Sequence, residues 1–333
     1  MRFITCASYY GTGSSAITDF VSEFDNVYSF TDEEFRFVHD PDGISDLEYH
    51  LIENFNRHNS GHALKRYKRL VDYYSGNPIL RRYEKFFHGN WKKVSYEYIE
   101  QLTDFTYHGW WNHDLVDGGA FFHFRKRAIN KLLHLTFWRN QSTRTIGSLK
   151  KEITYCSHPT EEKFLSCTKE YIEKLFGSVC DDAEILMVDQ IVASTNIHRY
   201  LRYFNDIKVV LVDRDPRDLF VLEKYVWKAG IIPSEVITFC KWFEYTRSHR
   251  KTENLDTEQI IFIRFEDMIY HYGETEKKLI DRLGLSPEKH TKRKVFFDPD
   301  ISIKNTQVWK KVMCDSKEIE YIEQHLGEYL YPF

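Results

Sequence analysis

Four short apolar runs stand out in the hydrophobic pattern of the chain, and helical stretches separate or follow them. The runs are FITCA (3–7), EILMVD (184–189), KVVLVD (208–213) and IIFIRFED (260–267). The helical stretches are 14–24, 161–176, 217–229, 234–248 and 274–283, with SKEIEYIEQHLGEYL as an amphipathic closing helix. Buried parallel strands read as continuous apolar runs that alternate with helices. The pattern therefore predicts an α/β fold with a central parallel β-sheet flanked by helices.

The pattern changes between about residues 45 and 155. LEYHLIENFNRH, ALKRYKRLVDYY, PILRRYEKFFHG and VSYEYIEQLTDF have helical periodicity and are rich in Tyr, Phe and basic residues. No run in this part predicts a strand, and no linker rich in Pro, Gly or Ser flanks it. We therefore expect one domain over 1–333 that carries a largely helical insertion at about 45–155.

Composition and charge narrow the class of protein. The net charge of the 333-residue chain is only −4, which gives no sign of nucleic-acid binding. No stretch approaches the roughly 18 apolar residues that a membrane span needs, and the first residues lack a signal-peptide pattern. The cysteines are widely spaced and lack a C-x-x-C pair, which indicates free thiols in a reducing compartment; they stand at positions 6, 156, 167, 180, 240 and 314. The expected location is cytoplasmic, with no nucleic-acid partner and with peripheral membrane contact possible.

The stretch GTGSS at 11–15 lies between the first predicted strand and the first predicted helix. A tight turn at this point leaves free backbone N–H groups and the positive end of the helix dipole directed at one spot, which suits a phosphate or a sulfate. The alternative is an ordinary strand-to-helix turn with Ser14 or Ser15 as the helix N-cap.

A second anion-suited feature follows the strand KVVLVD. In VLVDRDPRDLF (210–220), Arg214 stands just beyond the carboxyl end of the strand, where ligands of open α/β sheets bind. Taken alone, Asp215 and Pro216 form a strand-to-helix turn in which Asp215 caps the helix and Pro216 takes its first position. Because strand ends of one parallel sheet share an edge, Arg214 should reach toward the turn at 11–15.

These motifs resemble those of sulfotransferases that use 3′-phosphoadenosine 5′-phosphosulfate (PAPS). GTGSS resembles the family's loop for the 5′-phosphosulfate, VDRDPRDLF its 3′-phosphate motif, and SIKNTQVWKK (302–311) its C-terminal loop over the cofactor. The resemblance implies a phosphate-loop fold and a nucleotide cofactor. The cofactor-binding residues that it implies are Gly11, Thr12, Gly13, Ser14, Ser15, Arg214, Lys304 and Asn305.

Two positions depart from the family pattern. The Lys or Arg that the family carries early in the first loop is replaced by Tyr10 and Gly11, and the Ser expected near Leu222 is missing. The 5′ contacts then depend more on backbone N–H groups and hydroxyls, with a cation supplied from elsewhere. A phosphate-loop kinase would need a lysine where Gly13 stands. The sulfuryl group carries less charge than a phosphoryl group, so we expect no metal requirement.

The resemblance also implies a general base shortly after the first helix. The segment SFTDEEFRFVHDPDGISDLE (29–48) resembles the one in which carbohydrate-sulfating members place a catalytic glutamate. Glu34 is the first candidate and Glu33 the second. The acidic run that contains them could instead be only a helix start. Histidine is the base in the other branch of the family, so three further candidates remain: His39, His108 and His113.

A basic stretch without Asp or Glu runs from Gly118 to Lys151. Its cations are Arg125, Lys126, Arg127, Lys131, Arg139, Arg144, Lys150 and Lys151. It is either a solvated helix face or a surface that attracts an anionic substrate or membrane headgroups. The nearby Trp110 and Trp111 either stack on a sugar ring or belong to the core.

Three functions are compatible with the sequence. The resemblance favours sulfuryl transfer from PAPS to a hydroxyl of a saccharide or glycolipid. A small-molecule kinase and a non-catalytic member of the fold are the alternatives, and dependence on magnesium would separate the kinase from the other two.

Overall fold

The computed structural model describes residues 1–76, 82–109, 113–146, 153–180 and 183–333. The chain divides into two compact units. The first unit consists of Met1–Asp40 with Phe176–Phe333, and the second is Pro41–Leu175.

The described residues form strands and helices over the following ranges. The strands are β1 (Arg2–Ser8), β2 (Val27–Glu34), β3 (Phe105–His108), β4 (Ile153–Cys156), β5 (Ile185–Asp189), β6 (Ile207–Asp213) and β7 (Ile260–Arg264). The helices are α1 (Ser14–Ser22), α2 (Ile44–Glu48), α3 (Arg57–Ser75), α4 (Trp91–Leu102), α5 (His113–Leu135), α6 (Glu161–Gly177), α7 (Ile197–Leu201), α8 (Pro216–Val221), α9 (Val236–Thr246), α10 (Asp267–Tyr270), α11 (Tyr272–Leu283), α12 (Pro299–Ser302), α13 (Val308–Lys311) and α14 (Ser316–His325). Short π-helical turns cover Tyr49–Glu53 and Leu222–Trp227. Short 3₁₀ turns cover Tyr83–Lys85, Ser248–Lys251, Pro287–Lys289, Ile303–Asn305 and Gly327–Tyr329.

The first unit is built on a five-stranded parallel sheet in the order β2-β5-β1-β6-β7. All four strands expected from the apolar runs are present, so the predicted α/β fold with a central parallel sheet is confirmed. Strand β1 is in the middle, between β5 and β6. The turn that follows β1 therefore lies at the centre of the edge where the carboxyl ends of the strands meet, which is the usual ligand-binding edge of such sheets.

Both faces of this sheet are covered, as the alternation of side chains along β1 shows. Ile4 and Cys6 pack in one core cluster with Phe20 of α1. Phe3 points to the opposite face, where its ring meets the rings of Phe176 and Phe204 at 5.4 and 5.3 Å. Burial on both faces explains why the central strands have continuous apolar sequences rather than alternating ones.

Strand β2 was not among the predicted strands, and its end is not the helix start that the acidic run suggested. Among the described strands it lies at the edge of the sheet, with β5 on one side and no strand on the other. An edge strand tolerates polar and charged side chains, so the sequence VYSFTDEE lacks the apolar run that marks the central strands.

The predicted absence of strands from 45–155 is wrong. In the second unit, β3 pairs antiparallel with β4, and Phe105 lies opposite Cys156. Each strand has only four residues, and all side chains of β3 are exposed. Neither strand therefore has the apolar alternation from which a strand can be predicted. Helices make up most of the rest of this unit, and none of the described helices in the chain is both long and apolar enough to cross a bilayer.

Candidate functional site

The loop between β1 and α1 is compact because two glycines take conformations that other residues avoid. Gly11 and Gly13 have φ of 66° and 105°. A Cβ on Gly11 would lie 2.8 Å from the Trp227 ring, and one on Gly13 would lie 2.5 Å from the Phe265 ring. Side chains from two other elements thus close on the loop backbone, and only glycine fits at either position.

The N-terminus of α1 carries no cap from a side chain. Its N-cap residue is Gly13, so the alternative in which Ser14 or Ser15 caps the helix is wrong. The first turn of the helix contains no acidic residue. Ser14 is half-buried and lines a cavity, whereas Ser15 is exposed. The positive end of this helix therefore retains the capacity to bind an anion.

Thr12 has a structural task in the same loop. Its side chain is fully buried, and its hydroxyl donates a hydrogen bond to the Val212 carbonyl at 2.8 Å. The same oxygen accepts one from the backbone N–H of Tyr9 at 3.2 Å. The hydroxyl thus ties the loop to the end of β6, which leaves only the backbone of Thr12 for a ligand.

Arg214 brings the three sequence motifs together. Its Nη1 donates to the Gly11 carbonyl at 3.3 Å, and its Nη2 donates to the Asn305 carbonyl. The guanidinium lies over the Phe265 ring, 4.5 Å from the centroid. The side chain is buried and does not line the cavity, and its Nε has no hydrogen-bond partner among the described residues. One buried cation therefore links the first loop to the C-terminal segment.

Carboxyl groups surround that cation. Burial lowers the pKa of Arg214, while the charges of Asp218, Glu266 and Asp215 oppose the shift. Burial raises the pKa of Asp218 to about 6 and that of Glu266 to about 7. Asp215 caps α8 at the backbone N–H of Arg217, 2.9 Å away, as predicted for this turn.

The C-terminal segment is anchored through its backbone. Asp218 accepts hydrogen bonds from the backbone N–H groups of Gln307, at 2.8 Å, and Val308, at 2.5 Å. The backbone carbonyl of Asn305 accepts a hydrogen bond from Arg214, and the Lys304 side chain is exposed. The two predicted residues of this segment thus differ in their positions, since Asn305 contacts the buried arginine and Lys304 faces solvent.

A cavity of about 720 Å³ lies beside the first loop, and every residue that lines it belongs to the first unit. Its walls come from the loop, the end of β2, the segment after β5, the π-helical turn after α8 and the end of α9. The lining residues whose polar or ionisable side chains could act in binding or catalysis are Ser14, Glu34, Arg36, His39, Gln190 and His249. We call the first loop, GTGSS at 11–15, the anion loop. The cavity therefore combines Gly11 and Ser14 of the anion loop with the predicted base Glu34.

Glu34, which lines the cavity, forms a carboxyl pair with Asp189 on the neighbouring strand. Glu34 ends β2, where it lies opposite Asp189 of β5, and its side chain is half-exposed. Burial raises the pKa of Asp189 to about 7, and the charge of Glu34 adds to that effect. The Ser14 hydroxyl donates a hydrogen bond to Asp189, whose buried Oδ1 has no partner among the described residues. Asp189 therefore holds its proton up to about neutral pH, next to the anion loop.

The two candidate glutamates are separated by the geometry of β2. Successive side chains of a strand point to opposite faces, and Glu34 lines the cavity whereas Glu33 does not. Sequence reasoning missed Asp189, although one signal was present in the final, charged residue of the apolar run EILMVD. As the last residue of β5, Asp189 lies at the edge of the sheet where the carboxyl ends of the parallel strands meet and where ligands of such sheets bind.

Arg36 provides a cation at the cavity, where the first loop has none. Its Nε lies 3.1 Å from Asp40 Oδ1, and its Nη1 lies 3.8 Å from Glu34 Oε2. It also hydrogen-bonds to Tyr10 of the first loop. His39 has its Nε2 2.8 Å from the Gln190 carbonyl, and burial lowers its pKa.

An ionic network beneath the loop fixes the end of β6. The buried carboxylate of Asp213 receives Arg247 Nη2 and Arg250 Nη1, each at 2.6 Å. Burial alone would raise the pKa of Asp213, but the two guanidiniums outweigh it and hold the pKa at about 2. Arg247 also lies over the Tyr9 ring of the loop, 4.4 Å from its centroid. The network thus supports the loop from below.

Other sequence candidates are not among the residues that line this cavity, or they fall outside the described residues. His108 lies on β3 and His113 begins α5, both in the second unit. Trp110, Trp111, Lys150 and Lys151 are outside the described residues. Within the described ranges, no cluster of three or more His, Cys, Asp or Glu side chains could hold a metal ion.

Comparison with known proteins finds a distant similarity among solved structures. No family model and no curated protein matches the sequence. Among solved structures, the chain is similar to the sulfotransferase STF1 from Mycobacterium tuberculosis, with 11% identity and a TM-score of 0.34. The alignment covers 92% of this chain and 77% of that chain. At this distance the similarity carries no conclusion about the reaction, which has to be argued from the site itself.

Proposed function

We propose that the protein is a sulfotransferase that moves the sulfuryl group of PAPS to a hydroxyl of a saccharide or glycolipid. The observation that carries the proposal is the convergence on Arg214. Its guanidinium bonds to Gly11 of the first loop and to Asn305 of the C-terminal segment. The three sequence motifs that resemble PAPS-binding motifs thus meet around one cation, beside the uncapped N-terminus of α1.

The residues present fit an anionic nucleotide in two respects. The first turn of α1 offers backbone N–H groups without a capping side chain, and the buried Nε of Arg214 has no partner among the described residues. Gly11, Gly13, Ser14 and Ser15 would then hold the 5′ side through backbone and hydroxyl groups. Arg214 would hold the 3′-phosphate together with the predicted Lys304 and Asn305. The bound donor supplies an activated sulfuryl group.

Glu34 would take the proton of the acceptor hydroxyl. In the transfer, the acceptor oxygen forms a bond to sulfur and the bond from sulfur to the bridging oxygen breaks, so adenosine 3′,5′-bisphosphate leaves. The acceptor's proton passes to the Glu34 carboxylate, which returns it to solvent. Arg36 Nη1 lies 3.8 Å from Glu34 Oε2 and adds a positive charge to the cavity. Ser14 also lines the cavity, where its hydroxyl would stabilise the negative charge that develops on the bridging oxygen during transfer.

This chemistry requires no metal ion. A sulfuryl group bears less negative charge than a phosphoryl group, and hydrogen bonds with one or two cations can stabilise its transfer. A phosphate-loop kinase would need a lysine in the first loop and a Ser or Thr hydroxyl of that loop to hold magnesium. Gly13 occupies the place of that lysine.

A transfer assay with labelled PAPS and a panel of saccharides and glycolipids tests the function. We expect transfer to at least one hydroxyl acceptor, unchanged when EDTA replaces magnesium. Phosphoryl transfer from ATP with a strict magnesium requirement would assign the protein to the kinases instead. Binding of adenosine 3′,5′-bisphosphate without turnover on any acceptor of the panel would favour the non-catalytic alternative.

A further inference from the structure

The second unit contains a helical segment with an exposed apolar face. Within α5, the backbone leaves the helical conformation at Gly119, whose φ is 69° and ψ is −178°. Residues 120–135 therefore form a separate straight segment, about 24 Å long at 1.5 Å per residue. It lies within the basic stretch that runs from Gly118 to Lys151. For that stretch the sequence left three roles open: a solvated helix face, attraction of an anionic substrate, or attraction of membrane headgroups.

Large apolar side chains of this segment point into solvent. Phe121, Phe124, Leu132 and Leu135 are 77%, 70%, 61% and 64% exposed. At about 100° per residue, these positions fall within a sector of roughly 80° on one side of the helix, and the exposed Ala128 lies between them. We call these five residues the apolar stripe. Exposed side chains of this size, aligned along one helix face, mark an interaction surface rather than ordinary surface scatter.

Cations border the apolar stripe on both sides. By the same helical geometry, Arg125 lies along one edge, and Arg127 and Lys131 lie along the other. All three are exposed. Asp and Glu are absent from the sequence between Gly118 and Lys151. An apolar helix face flanked by cations matches the layered chemistry of an anionic bilayer, with acyl chains below and phosphates at the surface.

The segment is internally ordered, so the exposure is not that of a loose chain end. The chain that follows α5 turns back, and the buried Trp138 ring lies 4.9 Å from the Arg144 guanidinium. His134 Nε2 lies 2.8 Å from the Arg144 carbonyl, and Asn130 Oδ1 accepts the backbone N–H of Ile146 at 2.9 Å. Asn130 lies nearly half a turn away from the apolar stripe. The returning chain thus packs against the other side of the helix and leaves the apolar stripe uncovered.

We propose that this segment docks on the surface of an anionic lipid bilayer, with the helix parallel to the membrane plane. The apolar stripe enters the boundary between headgroups and acyl chains, and Arg125, Arg127 and Lys131 pair with lipid phosphates. A second copy of the chain fits this surface poorly, because it would bring the same positive charges to the contact. Nucleic acid would satisfy the cations but offers nothing to the apolar stripe. The docking does not depend on the sulfuryl-transfer chemistry.

Co-sedimentation with lipid vesicles tests the proposal on the full chain. We expect at least tenfold stronger binding to phosphatidylcholine vesicles with roughly one third phosphatidylglycerol than to pure phosphatidylcholine, and weaker binding as salt increases. Phe121→Ser with Phe124→Ser should lower binding by about tenfold or more. The matched control is Val295→Ser with Met313→Ser, which removes two apolar side chains that are 65% and 96% exposed elsewhere and should leave binding unchanged.

A charge variant completes the test. Arg127→Glu with Lys131→Glu should reduce binding to the level of pure phosphatidylcholine, whereas Lys277→Glu with Lys317→Glu, on other exposed positions, should not. Circular dichroism checks that each variant is folded, and if the phenylalanine variant is not, the charge variant decides. Equal binding of variant and wild type, no wild-type binding to anionic vesicles, or a dimer dispersed by the phenylalanine variant would each overturn the proposal. Binding of adenosine 3′,5′-bisphosphate, measured separately, tells a failure here from a failure of the proposed function.

Discussion

At the scale of single residues, the most informative position is the end of β2. Glu34 and Glu33 are adjacent in sequence, yet only Glu34 lines the cavity that holds Ser14 and Gly11. A carboxylate can remove a proton only from a group within hydrogen-bond reach, directly or through one water. The lining of the cavity thus favours Glu34, the first of the two candidates from the sequence, over Glu33.

Glu34→Gln should lower kcat by about 100- to 10,000-fold, because glutamine keeps the volume but cannot accept the proton. Binding of adenosine 3′,5′-bisphosphate should stay near wild type. Glu33→Gln is the matched control and should stay within about threefold of wild-type activity. Steady-state kinetics with a saturating acceptor measure both. If the Glu34 variant keeps a third or more of its activity, the role passes to another group at the cavity, with His39 first.

Asp189 should make donor binding depend on pH. Its pKa is raised to about 7, so the group is neutral below that pH and negative above it. A negative charge beside Ser14 repels an anionic nucleotide, and affinity should therefore fall as pH rises from about 6 to 8, by about tenfold for one pKa unit of coupling.

Asp189→Asn mimics the neutral form and should remove this loss of affinity. Calorimetric titration of adenosine 3′,5′-bisphosphate across the pH range, for both proteins, measures the effect. Ionisation of the ligand itself is common to the two titrations and cancels in their difference. The same pH slope in both proteins would contradict a role for Asp189.

At the scale of elements, the ends of the central strands hold most of the site. Strand β1 leads into the anion loop, β5 ends at Asp189, and β6 ends at Asp213 directly before Arg214. The ionic network of Asp213 with Arg247 and Arg250 fixes this edge. Removing one charge from a buried network destabilises the fold strongly, because the remaining charges stay buried without compensation.

Asp213→Asn should therefore lower the free energy of unfolding by about 3–5 kcal/mol, since two guanidiniums lose their counter-charge. The pH dependence has a definite sign. The folded-state pKa of Asp213, about 2, lies below its unfolded value, so this stabilisation is present above about pH 4 to 5 and is lost as pH falls toward 2. Urea denaturation at neutral and acidic pH measures both effects.

Asp206→Asn is the control for that experiment. It removes a surface ion pair in which Asp206 Oδ2 lies 3.2 Å from Arg2 Nε, with both side chains exposed. Such pairs contribute about 0–1 kcal/mol. A loss in the Asp213 variant no larger than that of the control would mean that the network does not stabilise the fold.

Elements also determine how much of the fold was predictable. The central strands β1, β5, β6 and β7 could be predicted because burial on both faces makes each one a continuous apolar run. Strand β2 could not, because an edge strand accepts the polar sequence VYSFTDEE. Strands β3 and β4 could not either, because four residues with largely exposed side chains leave no periodic signal.

The same reasoning applies to the site. The anion loop and Arg214 could be found because glycine-rich turns and charges at strand ends are local signals. Asp189 and Arg36 could not be assigned, since their roles arise from strand register and from a turn that brings Arg36 back to Tyr10. Thr12 was predicted to bind the cofactor; its hydroxyl holds the loop to β6, so its backbone is the part left for that role.

At the scale of the whole molecule, the first unit contains every described residue that lines the candidate cavity. We propose that this unit binds an adenosine nucleotide with phosphates on both the 3′ and 5′ sides, through the loop and Arg214. Sulfuryl transfer, the role of Glu34 and the direction of the pH dependence all require this binding. The Arg214 side chain hydrogen-bonds to both the first loop and the C-terminal segment.

Calorimetric titration of adenosine 3′,5′-bisphosphate against wild type, Arg214→Gln and Arg264→Gln measures this binding. Arg264 is the matched control, an arginine at the end of the neighbouring strand β7 that donates to the Tyr329 carbonyl at 2.9 Å. We expect wild type and the control to bind, and Arg214→Gln to bind at least tenfold more weakly, as loss of a charge-assisted hydrogen bond costs about 1.5–3 kcal/mol. No binding by folded wild-type protein, or equal binding by wild type and Arg214→Gln, would contradict it.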